Sequence, residues 1–160
     1  MRVLGIDPGL GRLGWGIVEV QNSEFRVQSF GCLETPANTP VEKRLLTIHQ
    51  FISKLLKTEK PDVLSIEELF FGANAKTAFA VGQARGVVLV AAAAQDADVA
   101  VYTPMQVKMA VTGYGRAEKK QVGQMVKVLL KLDSIPRPDD TADALAIALT
   151  HALSYKMKRL

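Results

Sequence analysis

Cysteine and long apolar runs are nearly missing from this chain, and each shortage removes a class of protein. The one cysteine, Cys32, falls inside a strand-like stretch and has no partner for an intrachain disulfide or a zinc site. A disulfide- or zinc-stapled scaffold is excluded, and a reducing, cytoplasmic setting is expected. The two histidines, His49 and His151, lack metal-ligand spacing. The most apolar window, residues 87–94, is far shorter than the roughly 20 residues that span a bilayer. Met1 leads directly into a strand pattern, without the charged head, apolar stretch and small-residue cleavage site of a secretory signal. No membrane partner is expected. Glycine and proline are scattered, and neither an internal repeat nor an interdomain linker is visible, so residues 1–155 read as one domain with a short basic tail at 156–160.

What is present is a modest positive balance, +4 at pH 7 with a pI near 9.3. Basic residues gather between Lys108 and Lys131 and again at Lys156, Lys158 and Arg159. That distribution favours a polyanionic partner, although a solvated basic face has the same composition.

Hydrophobic periodicity orders the elements. Residues 2–7 form a buried strand pattern broken by Pro8-Gly9, and residues 13–20 and 25–33 are strand-like around the polar turn at 21–24. Three strands joined by short turns predict an antiparallel meander. Val41, Leu45, Ile48, Ile52 and Leu55 step by four and three, the stripe of an amphipathic helix, which Pro61 closes. A short apolar run at 63–66 leads into Glu67-Glu68. A largely apolar helix over 75–94, a strand over 99–102 and two helices, at 118–131 and 139–153, complete the chain. The order predicts an α/β domain with a mixed five-stranded sheet, three antiparallel strands followed by parallel ones, flanked by helices.

Four carboxylates fall where elements end: Asp7 and Glu67 after buried strands, Asp140 and Asp143 at the start of the last helix. If the first and fourth strands are neighbours, their ends and that helix can meet. Acids placed together repel and demand solvent, protons or cations. Hard oxygen donors suit Mg2+, or Mn2+, and two such ions held about 4 Å apart promote phosphodiester hydrolysis. Each acid also has a plainer reading. Asp139, Asp140 and Asp143 suit a helix N-terminus, and Asp7 suits a Pro-Gly turn. Glu68 and Asp139 stand beside Glu67 and Asp140 as rival acids. Strand alternation puts Glu67 with Val63 and Ser65 on one face and Glu68 with Ile66 on the other, a weak discriminator if both faces are buried.

The segments Gly5-Ile-Asp-Pro-Gly9, Ile66-Glu67 followed by Phe70, Gly82-Gln-Ala-Arg-Gly86, Gln106-Val-Lys108, Ala117-Glu-Lys119 and Asp140-Thr-Ala-Asp-Ala-Leu-Ala-Ile147, in this order, resemble the RuvC family of Holliday junction resolvases over nearly the whole chain. The resemblance implies a ribonuclease H-like fold and a homodimeric endonuclease that nicks opposed strands of a four-way DNA junction, in recombination and repair, with a branch-migration motor as partner. It implies Asp7, Glu67, Asp140 and Asp143 as catalytic metal ligands, two ions per site, and so selects Glu67 over Glu68. It places Lys108 and Lys119 at the scissile strand, assigns Phe70 rather than Phe71 to an unpaired base, and puts the dimer contact at Gly82 and Gly86. Arg116 and Lys120 read as general phosphate contacts. The commoner family pattern Thr-Gly-Tyr-Gly is replaced here by Leu13-Gly-Trp-Gly16, which removes a hydroxyl.

Two rival functions come from other classes. A junction-binding protein that never cuts would not need all four acids. An actin- or sugar-kinase-like ATP-binding domain also opens with Asp-Pro-Gly, but needs a second such domain and a second phosphate loop, and neither is found in 160 residues.

Overall fold

Five strands build one sheet in the order β3-β2-β1-β4-β5, formed by β1 (Arg2–Asp7), β2 (Arg12–Gln21), β3 (Glu24–Glu34), β4 (Val63–Glu67) and β5 (Val99–Tyr102). The structure is a computed structural model and describes residues 1–22, 24–69 and 75–157, excluding the side chains of 156 and 157. β1, β2 and β3 pair antiparallel, as expected of a meander. Asn22, at the turn between β2 and β3, takes φ 50°, a conformation that asparagine tolerates better than most residues. β4 and β5 join in parallel, which requires crossovers, and the helices α1 (Val41–Glu59) and α2 (Ala75–Ala93) lie in those connections.

The pleat divides the core in two. Leu4, Ile6, Leu13, Ile17, Leu64 and Ile66 pack with Ile48, Ile52 and Leu56 of α1 and with Ala84 and Val88 of α2. Val3, Val18 and Val63 pack on the opposite face, with α3 (Pro104–Thr112), α4 (Lys119–Leu129) and α5 (Asp139–Met157). Each fully buried leucine or isoleucine in these layers contributes about 1.5–3 kcal/mol. Leu13 is fully buried in the α1 layer.

Among the described residues three helices follow β5, where two were predicted. The additional one is α3. Its sequence carries a cap: the Thr103 hydroxyl accepts from the Gln106 N–H, the Gln106 side chain accepts from the Thr103 N–H, and Pro104 opens the first turn. Only Val107 and Val111 are buried in it, too few for a visible stripe. At the start of α4 the Glu118 N–H donates to the Gln121 side chain at 2.8 Å. α5 continues to Met157, past the predicted stop near Leu153 and into the stretch read as a tail.

Candidate active site

Residues of odd number in β1 and β4 face α5. The register Ile6↔Ile66 makes Asp7 and Glu67 the next positions along two adjacent parallel strands, and both turn toward α5, as Ser65 does when its hydroxyl donates to the Ile147 carbonyl at 3.0 Å. Glu68 is exposed beyond the strand end. The alternation that was ambiguous in sequence therefore separates the two acids, because one specific helix covers the face of Glu67 and leaves Glu68 exposed.

Glycine lets that helix come close. A side chain at Gly5 would collide with the backbone of Ala144 and Ala148, and one at Gly14 with the carbonyl of Asp140. Gly14 is also the cross-strand partner of Asp7. α5 thus lies directly on the sheet, bringing its N-terminal acids over the end of β1. Asp140 is half-buried there, whereas Asp139 points outward and pairs with Arg137 at 2.7 Å.

Asp7, Glu67 and Asp143 line one cavity of about 250 Å3 together with Lys108, Lys119 and an apolar wall that includes Pro104, Val107 and Val122. Asp140 is not in that lining, but its charge reaches Asp7. Burial, followed by the charges of Asp143, Glu67 and Asp140, raises the Asp7 carboxyl from 3.8 to about 7. Burial and Asp143 raise Glu67, while Lys108 and Lys119 oppose the rise. Asp143 is also raised by burial, against a hydrogen bond and charge from Lys119. The Lys119 ammonium stands 2.7 Å from Asp143 and 3.9 Å from Asp139. Burial pulls the pKa of Lys119 down, but these acids and Asp7 outweigh it and raise it.

The donors are all carboxylate oxygens whose charges destabilise one another, which suits a hard divalent cation. Among the described residues, no three acidic, histidine or cysteine side chains already converge closely enough to hold an ion. Asp143 is engaged by Lys119 instead.

Lys108 enters the cavity from α3, the helix that the periodicity did not reveal, although Thr-Pro-x-Gln was a usable sign of it. Arg116 and Lys120 are exposed near the α4 start, and Lys120 borders a neighbouring groove with Tyr114 and Gln124. Phe70 and Phe71 lie outside the described residues. Gly82 faces Leu69 of its own chain, and Gly86 opens onto free space. Leu13, in the α1 layer, faces away from the acids, so its missing hydroxyl does not border them.

Comparison with known proteins agrees with this fold. A family model described as "Crossover junction endodeoxyribonuclease RuvC" matches residues 3–151. A relative of that name from Brevibacillus brevis is 53% identical over 152 residues, 95% of this chain and 92% of its own length. The solved structure of Thermus thermophilus RuvC superposes with a TM-score of 0.92 at 41% identity, covering 99% of this chain and 97% of that one. The same protein in complex with a Holliday junction substrate gives a TM-score of 0.93 at 42% identity, covering 99% and 96%.

Proposed function

This chain belongs to the RuvC family of crossover junction endodeoxyribonucleases, and from that premise we propose that Asp7, Glu67, Asp140 and Asp143 form the centre at which it cuts four-way DNA junctions. The observation that carries the reading is the shared cavity of Asp7, Glu67 and Asp143 with Lys108 and Lys119, in which burial and the neighbouring carboxylates raise the pKa of Asp7. The enzyme is a junction-resolving endodeoxyribonuclease of the divalent-metal-dependent kind, and the finer assignments are Mg2+, with Mn2+ as a substitute, and two ions per site. When bound, such ions acidify water and spread charge away from the scissile phosphate.

The residues divide the remaining work. Asp7, Glu67, Asp140 and Asp143, once ionised, offer only acceptor oxygens and would hold the cations. Lys108 and Lys119 place ammonium groups where a phosphate oxygen gains charge during displacement. The apolar wall of Pro104, Val107 and Val122 keeps bulk water away, which strengthens those electrostatic contacts. Arg116 and Lys120 extend the positive surface along the phosphate backbone.

Paired, symmetric cuts require two such centres, and a two-fold homodimer supplies them. The exposed face of α2 supports this: Phe79 is 70% and Val90 61% exposed, with Gly86 between them on the same side. The family's branch-migration motor is a further proposed partner, with no residue assigned to it.

The test uses a synthetic four-way junction, with Mg2+ or a chelator, and compares wild type with Asp7→Asn. Expected are paired nicks by wild type with Mg2+, none with chelator, and junction binding without cutting by the variant. Equal cutting by both proteins removes Asp7 from the mechanism. Wild-type binding that never yields a nick favours the non-cutting alternative, and equal cleavage of a linear duplex removes the structural selectivity.

A further inference from the structure

The carbonyl of Glu67 has an unusual partner. In β4 the N–H groups of Leu64 and Glu68 go to β5, to the carbonyls of Asp98 and Tyr102, each at 2.8 Å. The alternation of a strand then turns the backbone groups of Ser65 and Glu67 toward β1. Carried one step past Ile6↔Ile66, the parallel ladder would offer the Glu67 carbonyl the amide of residue 8. Residue 8 is proline and has no N–H. Arg85 of α2 takes that place, its Nε donating to the Glu67 carbonyl at 3.0 Å. One turn earlier on the same helical face, a Cβ at Gly82 would stand 3.5 Å from the Leu69 side chain, so α2 lies close against the exit of β4.

We propose that Arg85 is a positioning residue for Glu67, replacing the ladder hydrogen bond that Pro8 cannot make and so fixing the strand end from which the carboxylate projects. The inference rests on Glu67 being one of the catalytic acids. A half-buried carbonyl without a donor is costly, and the chain relieves that by shifting. Movement of this carbonyl would turn the Glu67 side chain relative to Asp7 and Asp143. A planar guanidinium suits the role because its Nε–H direction is set by the fork, whereas an ammonium swings on a flexible stem. Arg85 therefore acts through Glu67 without touching the substrate.

The experiment compares wild type, Arg85→Ala and Glu67→Gln in full-length protein, measuring single-turnover junction cleavage, junction affinity, the Mg2+ concentration for half-maximal rate and thermal midpoint. Arg85→Ala is expected to cleave about ten- to a hundredfold more slowly, the scale of a misplaced catalytic group, to need more Mg2+, and to bind junctions as wild type does. Millimolar methylguanidinium is expected to restore part of its rate and none of the rate of Glu67→Gln. If Arg85→Ala cleaves at the wild-type rate, or if its loss tracks junction affinity or unfolding and methylguanidinium does nothing, the positioning role is wrong while the carboxylate assignment stands. If Glu67→Gln itself cleaves normally, the carboxylate assignment fails and the positioning role falls with it.

Discussion

Gly14 lies directly beneath the carbonyl of Asp140, and no side chain fits between them. Because Gly14 also pairs with Asp7 across the β1–β2 ladder, the closeness of α5 to the sheet and the convergence of the acids have the same cause.

Gly14→Ala is therefore expected to lift the first turn of α5. Overpacking of this kind costs about 1–3 kcal/mol, and junction cleavage should fall by more than the stability loss explains. Gly11→Ala is the control, since its Cβ would meet only the end of the Arg44 side chain at 3.5 Å. Thermal unfolding and single-turnover cleavage of both variants decide the matter; a fully active, equally stable Gly14→Ala contradicts the close-approach argument.

Lys119 joins α4 to α5 through Asp143 at 2.7 Å, yet its side chain is 59% exposed. An ion pair so wet contributes at most about 1 kcal/mol to stability. Lys119→Ala should accordingly fold normally and bind junctions, while losing about a hundredfold or more in cleavage rate if the ammonium offsets charge on the reacting phosphate. A loss of stability without a loss of rate would reverse that assignment.

The titration of Asp7 makes both stability and metal uptake depend on pH. Its folded pKa of about 7 lies above the unfolded 3.8, so the unfolded chain releases this proton first. Without metal, its contribution to stability is complete below about pH 3.8, declines as pH rises toward 7 and is constant above that. Glu67 and Asp143 are shifted in the same direction. Cations compete with protons for these oxygens, so Mg2+ affinity should rise as pH approaches 7 and level off beyond it. Calorimetric Mg2+ titrations across this range test the point, with Asp7→Asn expected to flatten the profile; a wild-type affinity that ignores pH would count against it.

The exposed α2 face predicts its own variant. Val90→Asp sets a charge within the proposed two-fold contact, and sedimentation should show monomers with an unchanged fold. Paired nicks should become uncoupled single nicks. A dimer that persists in Val90→Asp, and also in Phe79→Asp, places the contact elsewhere.

Arg116 and Lys120 are assigned to phosphate. Replacing either with alanine should reduce the slope of log affinity against log salt by about 0.9 for each lost contact, with similar weakening for every junction sequence. An unchanged slope would remove that residue from the DNA surface.

Much of this molecule was legible along the chain because the signals are local. A strand cut by Pro8-Gly9, the stripe from Val41 to Leu55 and the apolar run before Glu67 each report what a few neighbouring residues must do, whereas the pairing of β1 with β4 joins segments far apart in the chain and was only a condition of the sequence reading. α3 escaped because a short helix resting on two buried valines has no visible period, even though its cap was written as Thr103-Pro-Met-Gln106.

The sequence by itself determined the elements, the basic character and the positions of acids at element ends, since helix and strand periods and turn chemistry act over a few residues. Tertiary structure alone decided which acids face one another. Glu67 rather than Glu68 turns toward α5 because that helix rests on the odd-numbered face of β1 and β4, Asp140 is half-buried where Asp139 is exposed, and Asp7 shifts to about 7 because burial and three distant carboxylates act on it together. Those are through-space effects between groups far apart in the chain, and they exist only once the chain has closed.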